Sequence, residues 1–128
     1  MNNRKSIHFV VVISITVGLL HFIIGPDYQG YCKDFIRGYL IDILLPMNIY
    51  LLLQISLRKK ISVFNCRVIG AVFTFLVGTT VEVLQYNKIN FLGATYDPLD
   101  ILMYGIGVAL GLILDFTIIN RYEKTSVN

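Results

Sequence analysis

Charged residues make up only 15% of this 128-residue chain, while 55% of it is hydrophobic. That balance is too apolar for the surface of an ordinary soluble domain and excludes that class. Cysteine and histidine are scarce too, two of each. With no C-x-x-C and no Cys/His cluster, neither a zinc centre nor a redox site is expected, and no metal or other cofactor is implied. No segment alternates apolar and polar residues with the period of two that a membrane barrel strand requires, so a barrel is excluded. A cleavable leader is not expected either. The apolar run after Arg4 and Lys5 exceeds the usual signal-peptide core, and Phe22-Ile23-Ile24-Gly25-Pro26 offers no small-x-small cleavage site.

What the chain does have is four apolar stretches, at 7–24, 39–57, 68–86 and 99–120. Each is long enough as a helix to cross a hydrocarbon core of roughly 30 Å. The expected fold is all-α: one domain over 1–128, a polytopic integral membrane four-helix bundle. Eight of the eleven lysines and arginines precede the first stretch, join the second to the third or follow the fourth. The positive-inside rule then puts both termini in the cytoplasm and accounts for the net charge of +3 without nucleic acid as a partner. In this topology Cys32 lies outside and Cys66 at the inner end of the third span, so the membrane keeps them from pairing.

The first span carries His8, His21, Ser14 and Thr16. The hydroxyls can bond back to the preceding turn, and His21 is either an interfacial imidazole or a member of a site. Gly25-Pro26-Asp27 signals a turn. Beyond it, Tyr28, Tyr31, Phe35 and Ile36 point to a segment lying on the membrane surface. Six of the eight tyrosines fall in the outer half, as an aromatic belt would place them. The second span carries Asp42, whose carbonyl loses its helical partner because Pro46 has no N–H, with Asn48 further in. Asp42 either pairs with Arg37 or joins a polar pocket. The basic connector 58–67 reads as a topology anchor in contact with anionic lipid. Asp115, near the inner end of the fourth span, is expected to pair with Arg58, Arg67 or Lys60.

The third and fourth spans show matching stripes. Ala71, Phe75, Gly78, Glu82 and Gln85 recur at spacings of four and three, as do Asp100, Tyr104, Gly107 and Gly111. Small residues at one level and polar residues at another describe a packing seam that opens into a polar site. The simplest docking sets Gly107 and Gly111 against Gly78 and Ala71, and Glu82 and Gln85 against Asp100 and Tyr104. By helical rise, His21, Asp42, Glu82 and Tyr104 lie roughly 5 to 9 Å below the outer surface. Asp97 and Asp100 cap that layer at the start of the fourth span, where Pro98 and the helix dipole suit acids. Arg37 is the one basic residue placed to neutralise the group. The loop 87–96 becomes a lid or strap.

Glu82-x-x-Gln85 closing one span, with Asp97-x-x-Asp100 entering the next and Gly107 after it, resembles the signature of VanZ-like membrane proteins. Arg37-Gly38-x-x-x-Asp42, Leu92-Gly93 and Tyr104-x-x-Gly107 extend the resemblance to a small VanZ-related bacterial family and carry it from about Arg37 to Gly111. It implies a multi-pass protein of the bacterial cytoplasmic (inner) membrane, part of the cell envelope. The chain departs from the common VanZ pattern at Thr95 or Tyr96, where an arginine is usual, and at Met103 or Tyr104, where an asparagine is usual.

Three functions are open to such a chain. The leading one is an outward-facing polar pocket of Arg37, Asp42, Glu82, Gln85, Asp97, Asp100 and Tyr104 that binds an amphiphilic envelope component, a lipid headgroup or cell-wall precursor. The second is a structural or assembly subunit whose polar layer locks helices together and whose partners are membrane lipids and another membrane protein. The third is an interfacial enzyme working with paired carboxylates, although no nucleophile stands beside a base. No polar stripe runs through the inner halves of the third and fourth spans, which argues against an ion channel.

Overall fold

The computed structural model describes residues 4–24, 28–89 and 96–125, and these residues contain helices and connections but no strand. In order they are α1 (Arg4–Ile23), α2 (Lys33–Gly38), α3 (Leu40–Leu57), α4 (Val63–Tyr86) and α5 (Pro98–Leu114). A π-helical turn (Asp115–Ile119) leads from α5 into α6 (Asn120–Thr125). Four helices are long and apolar enough to cross a membrane: α1, α3, α4, and the run Pro98–Lys124 that joins α5 to the final turns. At most 28% of any span's residues are buried within the protein. Large apolar side chains such as Phe22, Phe64 and Val12 point outward. An apolar exterior on four long helices is the signature of lipid as solvent, and the chain is a multi-pass membrane protein.

The expected spans are all present, with shifted ends. The third begins at Val63 rather than 68, because Ser62 caps it by accepting from the Asn65 N–H at 3.4 Å. Arg37 belongs to α2, a short helix with no buried residue. Tyr39 separates it from α3 by leaving helical geometry (φ −120°). Asp97 caps α5 through the Leu99 N–H at 2.9 Å, with Pro98 in the first turn. α3 then runs unbroken through Pro46. The turn at Gly25-Pro26-Asp27, the Leu92-Gly93 pair, Thr95 and most of the expected strap lie outside the described residues.

α3 is the central helix. It packs on α1, α2, α4 and α5, whereas α1 packs chiefly on α3 and touches α6. The core joins Val10 and Val17 of α1 to Met47, Tyr50 and Leu51 of α3 and to Ile119.

The expected seam between the third and fourth spans needs correction. Gly107 and Gly111 do not face Gly78 and Ala71. A β-carbon on Gly107 would run into the Ile43 carbonyl of α3, and one on Gly111 would meet the Tyr50 ring at 2.7 Å and the Met47 carbonyl at 3.4 Å. Close backbone approach therefore joins α5 to α3. Gly78 of α4 leaves room for a side chain, the ring of Tyr104, which a β-carbon there would approach to 2.6 Å.

Candidate functional site

Two polar layers cross the bundle, one at each end. The first is the expected acidic layer. Glu82 is 1% exposed, turned inward from α4 in a span whose neighbouring residues Val83 and Val81 are apolar. A carboxylate so deep needs its oxygens occupied. The Tyr104 hydroxyl donates to Oε1 at 3.0 Å, and the Asp97 backbone N–H donates to Oε2 at 3.3 Å. Asp97 in turn accepts from the Tyr39 hydroxyl at 3.1 Å through Oδ2 while its Oδ1 caps α5. The start of α3, the end of α4 and the start of α5 are thus joined by one chain of bonds.

Tyr39 stands just outside α3, and its phenol is held above its ordinary pKa of 10.0. The hydrogen bond to Asp97 is the first cause, followed by burial and by the charges of Asp97, Asp100 and Asp42.

Asp42 and Asp100 complete the layer differently. Both are half-buried and close enough to Glu82 and Asp97 for the four charges to act on one another. Among the described residues neither carboxylate accepts a side-chain hydrogen bond or pairs with a cation, since both ion pairs belong to Asp115. Arg37 is exposed on α2 and forms no ion pair among the described residues. Gln85 is half-buried one turn beyond Glu82. The structure therefore brings Asp42, Glu82, Asp97, Asp100 and Tyr104 together and sets Arg37 at the rim. No three His, Cys, Asp or Glu side chains among the described residues are placed to hold a metal ion.

Two further polar residues face the groove between α1 and α3. Asn48 turns toward α1, where the Ser14 hydroxyl approaches its Oδ1 at 2.7 Å and the Val10 carbonyl at 2.9 Å. His21 lines the same α1–α3 groove, a cavity of about 190 Å³ that also includes Val17, Gly18, Ile41 and Leu45.

The second layer gathers at Asp115, which is fully buried. It accepts from Arg58 and Arg67, two of the three partners expected for it, and also from the Tyr50 hydroxyl at 3.0 Å. Gln54 ties the layer to α4 by donating to the Cys66 carbonyl at 3.1 Å. Tyr50 and Gln54 stand four apart on α3, a spacing that puts both on one helical face. That spacing was the available signal for this layer. Tyr39 gave none, since a tyrosine at a span's edge reads as belt.

No family model, curated protein or solved structure matches the chain.

Proposed function

We propose that the chain is a VanZ-like protein of the bacterial inner membrane whose acidic end faces outward and receives the headgroup of an amphiphilic envelope component. One observation carries this reading: Asp42 and Asp100 lie within electrostatic reach of Glu82 and Asp97, and no cation or hydrogen-bond donor of the described residues engages either. Carboxylates crowded at the edge of a membrane span require partners, and amines or hydroxyls of a headgroup are donors of the right kind. Arg37, exposed at the rim, is left for an anionic part of the same molecule. The polar groups divide by role. Glu82, Tyr104, Asp97 and Tyr39 bond to one another and hold the helices, while Asp42 and Asp100 are the receptive pair.

The test is native mass spectrometry of gently extracted protein. Wild type is expected to carry an amphiphile that Asp42→Asn and Asp100→Asn each weaken and their combination removes. Retention of the same adducts by the double variant contradicts the reading.

The structural reading is favoured by a different observation, the buried bond from Tyr104 to Glu82 between α5 and α4. It describes the clamp rather than the receptive pair, and the two readings assign different residues.

A further inference from the structure

At the opposite end from the acidic layer, Asp115 shares its two oxygens among three donors. Oδ1 accepts from Arg58 Nη2, and Oδ2 accepts from Arg67 Nε at 2.9 Å and from the Tyr50 hydroxyl at 3.0 Å. A guanidinium binds a carboxylate best through two parallel N–H bonds, which takes both oxygens. Here each arginine has one oxygen, so neither fork is filled. Arg58 makes up the difference by donating from Nε to Gln54 Oε1 at 3.3 Å. Arg67 does not, and its Nη2 is buried with no acceptor among the described residues. The Phe116 ring lies over the guanidinium carbon at 3.8 Å, so only the in-plane edges of Arg67 remain for hydrogen bonds.

The charges are unequal as well. Two guanidinium groups against one carboxylate leave a surplus of one positive charge, although the Asp115 side chain is 0% exposed and that of Arg58 only 3%. Arg67, at 14%, is the member that reaches the surface. It stands near the start of α4, beside the connector that carries the exposed Lys59 and Lys60. This is the level at which apolar spans give way to basic residues and where lipid phosphates lie.

We infer that the Arg67–Arg58–Asp115 cluster is a phosphate-binding site, in which Arg67, the member that reaches the surface, turns its unpaired Nη2 from the buried position to a phosphate oxygen, the second acceptor that Asp115 gives to Arg58. The bound anion brings the cluster to neutrality. Arg67 makes the specific contact through its planar fork. Lys59 and Lys60 add only attraction at a distance, which salt screens. The inference does not depend on the acidic layer.

The test titrates the purified full chain, in a neutral detergent, with three probes followed by native mass spectrometry. The probes are dioleoyl phosphatidic acid, dioleoylglycerol with the same tails and no phosphate, and inorganic phosphate. One phosphatidic acid is expected to bind, with dioleoylglycerol at least about tenfold weaker, the scale of a lost charge-assisted fork. Arg67→Gln is expected to lose about tenfold in phosphatidic acid affinity, whereas Lys59→Gln with Lys60→Gln, which removes more charge, changes it less than about threefold. Arg67→Lys retains the charge and one bond to Asp115, so it keeps the wild-type helical circular dichroism while losing several-fold in affinity. Inorganic phosphate binding with the same dependence on Arg67 identifies free phosphate as the source, and its failure beside phosphatidic acid binding identifies the lipid. Equal affinity in wild type and Arg67→Lys, or an equal loss in the lysine double variant, overturns the inference.

Discussion

Glu82 is the residue on which the acidic end turns, because a carboxylate 1% exposed in a membrane span persists only while its oxygens are bonded. Its strongest partner is the Tyr104 hydroxyl at 3.0 Å. Tyr104→Phe removes that donor and is expected to cost about 1 to 3 kcal/mol in a reversible unfolding titration, the range for leaving a buried acceptor unsatisfied. Glu82→Gln keeps an acceptor for the same phenol, and in a double-mutant cycle the two changes are expected to be non-additive. Tyr39 offers a pH test. Its pKa is raised in the folded protein, so its bond to Asp97 contributes stability that is fully present below the ordinary tyrosine value of 10.0 and is lost as pH rises through the higher folded value. The stability difference between wild type and Tyr39→Phe is therefore expected to be constant from pH 7 to 9 and to shrink above 10, as read by melting temperature. Glu82 and Tyr104 were legible as partners because both lie on regular stripes. The Tyr39–Asp97 bond was not legible, because it crosses 58 positions between two helix ends where no periodicity runs.

At the scale of elements, the closest backbone approach lies between α5 and α3, at Gly107 against the Ile43 carbonyl. Gly107→Ala places a methyl group on that carbonyl, where neither side can yield by a rotamer change. It is expected to destabilise the bundle by about 1 to 3 kcal/mol or more, the scale of overpacking. Gly105→Ala, whose β-carbon would meet only Phe75 at an ordinary 3.7 Å, is expected to be tolerated, as is Gly18→Ala, which meets nothing within 4 Å. Thermal unfolding of the three variants in one detergent checks the order. The small residues of the fourth span were legible as a packing face, but not their neighbour. A stripe shows which face is small, whereas the partner here presents a backbone carbonyl and the flat ring of Tyr50, neither of which forms a small-residue pattern. Pairing by like with like therefore pointed to α4. The spans were legible because apolar length is a property of the chain, and their ends shifted where local bonding decides, as with the Ser62 cap.

For the whole molecule, the two polar layers differ in sign. One end holds four interacting carboxylates, and the other a carboxylate with two arginines. The proposed orientation turns the acidic end outward, and the cysteines report on it without engineering, since Cys32 is exposed beside that end and Cys66 is buried. Cys32 is expected to react with a membrane-impermeant maleimide applied to intact cells. Labelling that requires lysis would reverse the topology. The fold class and the gathering of Asp42, Glu82, Asp97, Asp100 and Tyr104 were readable from length, spacing and depth. The place of Arg37 was not, because the break at Tyr39 is a backbone event that apolar content does not report. The central claim is that Asp42 and Asp100 receive a ligand while Glu82 and Tyr104 hold the helices. Its most direct test measures thermal stability and retained amphiphile on the same preparations of wild type, Asp42→Asn with Asp100→Asn, and Tyr104→Phe. The double variant is expected to lose the amphiphile and keep its unfolding temperature once wild type is stripped for comparison, and Tyr104→Phe to lose stability first. A double variant that unfolds early, or that still carries the wild-type amphiphile, contradicts the claim.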